Sequence, residues 1–359
     1  MTIDSFLTSG NSPGDRSRCR VALVGLGRVG SAVARRLTGP NPPAGLTLTH
    51  VFDRRVEQKR SAFDADASVV WTTNIADVLA SRADVVVEAV GGVDQPAEWI
   101  RAALAAGKSV VTANKQVIAR HGPALLTLAE RQGRQLRFEG AVGAAVPIVR
   151  AVSDGLSGDT ITSITAVLNG TTNAVLSRVE ETGCTIAEAI ADARGRGWAE
   201  ADPSDDVDGL DAAAKLAILC ALAFGLRVDP AAIERRSIAG IDSGHFRRAA
   251  TVGSTVRQIA HASVDADRGL TAWVGPRLVL KSSIFGQLAG PANAAVINGE
   301  NAGEIAILGA GAGGNATAVA IISDLLAIAR DPAAIYHAPV LAAPAAIHGF
   351  DSELLAEAV

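Results

Sequence analysis

The run RVALVGLGRVGSAVARRL, residues 20–37, limits the fold of this chain more than any other stretch. Val21 to Val24 reads as a short buried strand, and Ser31 to Leu37 reads as a helix. Between them Gly25, Gly27 and Gly30 spell Gly-x-Gly-x-x-Gly. The spacing alone is weak; a strand before it and a helix after it supply the context of a dinucleotide loop. The glycines permit the turn, the approach of a pyrophosphate and close helix–strand packing. The free N–H groups of the helix start then face the phosphates. Gly25, Gly27, Arg28, Val29 and Gly30 are therefore candidate cofactor residues.

The next strand, LTLTHVFDRR, reaches Asp53, 23 residues after Gly30 (53 − 30). That is close to the ~20 expected of an acid that binds a ribose. An acid there favours NAD. Arg54, Arg55, Lys59 and Arg60 follow at once, and a base at this place can hold the 2′-phosphate of NADP. Both cofactors stay open, with Asp53 and Arg54 as the candidate residues. ADVVVEAVGG, SVVTANK and LRFEGAVG read as further strands, with a helix between the first two. Strands alternating with helices predict an α/β fold, a Rossmann-type doubly wound parallel sheet. Ligands bind at the carboxyl ends of such strands. Glu88, Gly91, Lys115 and Glu139 fall at or near those ends.

After Pro147 the pattern changes. DTITSITAVLNGTTNAVLSRV predicts a strand and then a helix, with Asn169, Thr171, Thr172 and Asn173 at the junction. These residues could line a cleft or only cap the helix. Later segments predict strands, turns and a helix over about 317–329, so the second region reads as an α+β domain. Gly309 to Gly314 repeat the glycine spacing, but no ribose acid follows at the right distance. A tight strand–helix turn lining the cleft is the better reading.

WAEADPSDDVDGLDAAAKLAILCALAFG holds six carboxylates between Glu200 and Asp211, and after them one charge before Arg227, Lys215. Asp211 and Lys215 are one helical turn apart, acid first, which on a solvated helix contributes roughly 0.2–0.5 kcal/mol. Here Leu210, Leu216, Ile218, Leu219, Leu222 and Phe224 surround most of the helix, which reads as buried. A lysine in such a helix must be paired or face a cavity. Asp202, Asp205 and Asp208 suit turns beside Pro203 and the N-cap of the helix from Gly209.

With 48% hydrophobic and 19% charged residues, 359 residues can build two cores. The net charge of −4 and the absence of a basic, aromatic-laced stripe argue against nucleic acid as a partner. No apolar run has the length of a membrane span. Cys19, Cys184 and Cys220 lack metal or disulfide spacing, which fits a reducing cytoplasm.

Five further segments, in order, resemble homoserine dehydrogenase: GKSVVTANK, FEGAVGAAVPIV, VLNGTTNAVL, GWAEADPSDDVDGLDAAAKLAIL and GAGAGGNATAVAIISDL. The likeness runs from about 20 to 330. It departs from the family at Ala144, Ala145 and Val146, where glycines are usual, at Trp198, where Tyr is common, and at Ala316, where Pro is common. The resemblance implies NAD(P)-dependent reduction of L-aspartate 4-semialdehyde to L-homoserine, a step of threonine and methionine biosynthesis. It implies Lys215 as proton donor, Asp211 orienting lysine and substrate, and Lys115 in the cleft between cofactor and substrate. Glu200, Asp206, Asp211, Lys115, Asn169 and Thr171 would bind a small-molecule substrate. Glu139, Val142, Ala144 and Val146 would hold a monovalent cation such as Na, three of them through backbone carbonyls.

A homodimer is also implied. The expected organisation is a disordered leader over 1–19, a dinucleotide domain over 20–145 and a substrate domain over 161–305. Bridging and dimerisation segments at 146–160 and 306–335 and a tail at 336–359 complete it, in a short form without a C-terminal regulatory domain. Two alternatives stay open: an oxidoreductase of a related amino-acid aldehyde, and a non-catalytic dinucleotide-binding paralogue.

Overall fold

The computed structural model describes residues 18–63, 65–199, 202–265, 269–335 and 338–350. Its first sheet contains β1 (Cys19–Val24), β2 (Leu46–Phe52), β3 (Val70–Thr72), β4 (Val85–Glu88), β5 (Ser109–Thr112) and β6 (Leu136–Arg137). All of its pairings are parallel, in the order β3-β2-β1-β4-β5-β6. Helices α1 (Arg28–Thr38), α2 (Val56–Lys59), α3 (Ile75–Ala80), α4 (Asp94–Ala105) and α5 (Lys115–Arg131) make the crossovers. The order reverses between β1 and β4, and a crevice opens there at the carboxyl ends. The strand expected over LRFEGAVG is shorter than its sequence suggests. β6 ends at Arg137, and Glu139–Ala141 is a tight 3-10 turn whose acid faces inward.

The second sheet contains β7 (Ile161–Val167), β8 (Glu234–Arg235), β9 (Ser254–Asp265), β10 (Gly269–Leu280), β11 (Ala292–Gly299), β12 (Gly303–Ala310) and β13 (Ile347–His348). Its order is β12-β11-β7-β9-β10-β13, with β8 also on β10. The helices here are α6 (Ile148–Arg150), α7 (Gly170–Thr182), α8 (Ile186–Gly195), α9 (Ser204–Val207), α10 (Leu210–Phe224) and α11 (Ser243–Thr251), while α12 (Gly314–Arg330) returns to the parallel sheet. This mixed sheet with its helices is the expected α+β unit.

Packing follows the period of two along β1. Val21 and Leu23 join Val85, Val87 and Val111 on the face covered by α1 and by Ile321, Ile322 and Leu325 of α12. Ala22 and Val24 face the other way, into a core with Ile100 and Leu104 of α4 and Val117 and Leu125 of α5. That second core continues without a break through Leu216 and Leu219 of α10 to Ile164, Ala260 and Ala272 of the mixed sheet. Because α10 lies between α5 and the mixed sheet, it is apolar almost all round. Leu216 and Leu219 are both at 0% exposure, and each such burial contributes roughly 1.5–3 kcal/mol.

Candidate active site

The crevice begins at the glycine loop. Gly25 has φ +100°, and a Cβ there would come within 2.8 Å of the Ala89 carbonyl oxygen. At Gly30 a Cβ would meet the Gly25 carbonyl oxygen at 1.9 Å, so α1 packs against its own loop only through glycine. Gly27 caps α1 with no side-chain hydrogen bond, and no atom lies within 4 Å of where its Cβ would stand. Open space therefore lies over the first amides of α1, as a bound phosphate requires.

A recess opens to each side of this loop. Gly25, Asp53, Arg54, Lys59 and Gly91 line the first. Asp53 accepts hydrogen bonds from the N–H groups of Leu26 and Arg55, each at 2.8 Å, and pairs with Lys59 at 2.7 Å. Burial opposes its charge, but Lys59 and these N–H groups hold its carboxyl below the usual range.

Arg28 and Val29 line the second recess with Lys115, Asn169, Thr171, Asp206, Asp211 and Lys215. Asp211 is its centre. One carboxylate oxygen lies 2.7 Å from Lys115 Nζ and the other 2.7 Å from Lys215 Nζ. Asp211 is 5% exposed, and burial would favour its neutral acid. The ammoniums of Lys215 and Lys115 reverse that and hold the carboxyl far below the usual range. Asp211 also stands in the first turn of α10, where the helix dipole favours an acid. Lys215 Nζ donates a second bond, 2.7 Å long, to the Leu168 carbonyl. Lys115 is the first residue of α5 rather than a strand end, and Asn114 caps that helix through the Val117 N–H.

Asn169 both lines the cleft and caps a helix. Its oxygen accepts from the Thr172 N–H at 2.8 Å and so starts α7. Its amide donates to Asp206 at 2.7 Å and to Asp211 at 2.9 Å. Both amide hydrogens are thereby committed to carboxylates. Burial, and then the neighbouring Asp211 charge, push the Asp206 carboxyl upward. Thr171 donates to the Trp198 carbonyl at 2.8 Å. Asn173 instead donates to the Gly290 carbonyl, so its amide serves the loop before β11. Asp202 caps a turn by accepting from the Ser204 N–H at 3.0 Å. Asp208 does not cap α10. The cap position belongs to Gly209, at φ +77° and with no side-chain bond, because the chain must turn left-handed between α9 and α10. Glu200 lies outside the described residues.

The turn between β12 and α12 completes the second recess with Gly311, Ala312, Gly313 and Gly314. A Cβ on Gly314 would stand 2.6 Å from the Arg28 carbonyl oxygen, so this turn presses on the start of α1. Arg28 in turn donates to the Gly197 carbonyl, across from the glycine loop to the substrate side. Asn293 belongs to none of the sequence motifs. It is fully buried and reaches the carbonyls of Leu168 and Gly311 at 3.4 and 3.3 Å. Its one signal is an amide set among the apolar residues of β11, which Asn298 of the same strand shares.

Glu139, Val142, Ala144 and Val146 form a separate, buried loop under α6. The Glu139 carboxylate accepts from the N–H groups of Val149 and Arg150 at 2.9 and 3.0 Å. Arg150 binds Asp324 at 2.6 Å and lies 3.7 Å from Glu139. Burial, and then Asp324, push the Glu139 carboxyl up to about 7 against these N–H groups. Ala144 has φ +56°, a left-handed conformation that costs a non-glycine residue roughly 1–2 kcal/mol.

The parallel sheet, its open helix start and the acid–lysine centre across the cleft define a nicotinamide-dependent oxidoreductase. The profile described as homoserine dehydrogenase, NAD binding domain, matches residues 25–139, and the profile described as homoserine dehydrogenase matches residues 147–326. The chain belongs to the homoserine dehydrogenase family. It is 38% identical to the homoserine dehydrogenase of Mycobacterium leprae over 88% of this chain and 74% of that one. It is 35% identical to that of Bacillus subtilis over 87% of this chain and 73% of that one. The crystal structure of a homoserine dehydrogenase from Thiobacillus denitrificans superposes with a TM-score of 0.84 at 31% identity, covering 92% of this chain and 79% of that chain. A hyperthermophilic archaeal homoserine dehydrogenase mutant, solved in complex with NADPH, gives 0.71 at 29% identity, over 86% and 96%. Among the described residues, no helix is long and apolar enough to cross a membrane.

Proposed function

We propose that this chain reduces L-aspartate 4-semialdehyde to L-homoserine, reversibly, with Lys215 as proton donor and Asp211 and Lys115 as its supports. The observation that carries this reading is the Lys115–Asp211–Lys215 centre at the mouth of the glycine-loop crevice. Bound NADH or NADPH supplies the hydride for the aldehyde carbon. Lys215 delivers the proton to the oxygen that becomes the hydroxyl. An ammonium has three donors. Asp211 and the Leu168 carbonyl take two of them, which leaves one to aim at the substrate oxygen. Asp211 stays ionised throughout, since two ammoniums flank it. When Lys215 gives up its proton, the Lys115 charge keeps the buried carboxylate paired. Asp206, which lines the same recess, suits the substrate ammonium. Glu200 belongs to the same reading through its place in the acidic motif.

Reduction of NAD or NADP on addition of L-homoserine, followed by absorbance, tests the reading. A protein that binds either cofactor yet shows no homoserine-dependent reduction would remove it. The same assay tests the cation. Burial and Asp324 push the Glu139 carboxyl up to about 7 even with Arg150 nearby, and oxygen donors suit a hard monovalent ion. Replacing Na by a bulky organic cation is expected to lower the rate; equal rates would exclude a cation role for Glu139, Val142, Ala144 and Val146.

The cofactor recess holds an acid and several bases, and the reading assigns Asp53 to the ribose hydroxyls and Arg54 to a 2′-phosphate. Asp53→Ala is expected to weaken NADH about tenfold more than NADPH, the size of one lost bond to a charged group. Equal losses in the two dissociation constants would reject the ribose role. A homodimer belongs to the same reading. It is supported by β12, an edge strand exposing Leu308 at 62%, and a monomeric mass in solution would exclude it.

A further inference from the structure

Glu88 closes β4, a strand whose other residues are three valines, and it is 1% exposed. Burying a carboxyl costs several kcal/mol unless partners offset it. An apolar residue would fill the strand end without that cost, so what Glu88 holds is the question. One oxygen accepts from the Val90 N–H at 2.7 Å. The other accepts from the hydroxyl of Thr112, at the end of the neighbouring β5 and 0% exposed. Thr112 in turn accepts from the Asn114 N–H at 2.9 Å. The Asn114 amide then reaches back across the sheet to the carbonyls of Val90 and Gly92, at 3.2 and 2.9 Å. Its oxygen caps α5 at Val117 N, 3.1 Å away.

The ring so closed has functional neighbours on both sides. On one side, Ala89 and Val90 press on Gly25, where a Cβ would stand 2.8 and 2.7 Å from them. Val90, Gly91 and Gly92 line the same recess as Asp53. On the other side, Asn114 is followed directly by Lys115, whose Nζ reaches Asp211 at 2.7 Å. Burial pushes the Glu88 carboxyl upward, while Thr112, Val90 and Asn114 act against that shift.

We propose that Glu88, Thr112 and Asn114 are positioning residues that lock the floor of the cofactor crevice to the backbone carrying Lys115. The shape of the cofactor crevice and the position of the backbone that carries Lys115 thereby depend on the same set of bonds. This rests on the catalytic reading above for the role of Lys115, but not for the link itself.

Two variants cut the link at different points. Thr112→Val keeps the shape and removes the hydroxyl, while Thr112→Ser keeps the hydroxyl. Asn114→Ser still caps α5, because serine is a good N-cap, but it is too short to reach Val90 and Gly92. NADPH affinity is read from nicotinamide fluorescence without substrate, and turnover is read separately. Thr112→Val is expected to raise the NADPH dissociation constant about tenfold and to lower kcat about tenfold, the scale of one buried bond broken. Thr112→Ser restores both to within about twofold on the same scale. Asn114→Ser is expected to weaken NADPH with little change in Tm, so it carries the test if Thr112→Val does not fold. Wild-type NADPH affinity in folded Thr112→Val or in Asn114→Ser overturns the proposal. Loss of affinity in Thr112→Ser equal to that in Thr112→Val overturns it too. A wild-type protein that binds NADPH but does not oxidise homoserine would sink the functional reading and leave the affinity comparison intact.

Discussion

Lys215→Ala is expected to lose turnover by about a thousandfold or more, within the span attributed to a positioned general acid. NADPH affinity is expected to stay near that of the wild type, because Lys215 lines the recess on the substrate side of the glycine loop and not the one around Asp53. Lys215→Arg should not recover the rate. Its guanidinium stays charged at all working pH values and cannot give up a proton. Turnover within tenfold of wild type in Lys215→Ala would end the proton-donor assignment. A parallel loss of NADPH affinity would instead mark the lysine as part of the frame.

Asp211→Ala is expected to be the most destabilising single change in the cleft. It strands the Lys215 ammonium, which is only 12% exposed, beside an apolar helix core. Breaking a buried pair in this way costs about 3–5 kcal/mol. Most of that belongs to Lys215, since Lys115 is 35% exposed and water screens its share. The midpoint of urea unfolding measures the effect, and a loss under about 1 kcal/mol would show that the pair is solvated. Acid exposes the same interaction. The folded Asp211 carboxyl lies below its unfolded value, so its stabilisation is complete above an unfolded pKa of about 3.9. It falls away as pH drops through the folded value. Asp211→Asn should therefore flatten the acid side of the stability curve and leave neutral pH cofactor binding unchanged.

Much of this site has a local signature. Asp211 and Lys215 share one helix at a spacing of four, and the pairing follows from helix geometry once the surrounding leucines mark the helix as buried. The glycine loop is legible for the same reason, because its strand, turn and helix are contiguous. Lys115 on the second oxygen of Asp211 is not, since 96 residues separate them (211 − 115) and no periodicity records the contact. Asn169 shows the limit differently. Its type suits both a cap and a cleft, and only the structure reveals that one amide serves both. Thr112 and Asn114 look like ordinary strand-end polar residues until Glu88 is seen beneath them. The expected strand over LRFEGAVG is longer than β6 because Phe138 and Ala141 are apolar enough to continue a strand, whereas Glu139 turns inward to meet the start of α6.

α12 has a consequence for how this chain is made. Val21, Leu23, Val85, Val87 and Val111 share their cover between α1, which follows directly, and Ile321, Ile322 and Leu325, about 300 residues later. During synthesis one face of the nucleotide-binding sheet remains partly bare until α12 has left the ribosome. Exposed parallel strands of this kind are sticky and slow to pair. The interval from about residue 140 to residue 330 is thus the period in which a nascent chain most needs protection from its neighbours. A fragment ending before α12 would carry the glycine loop intact and still be a poor stand-alone domain.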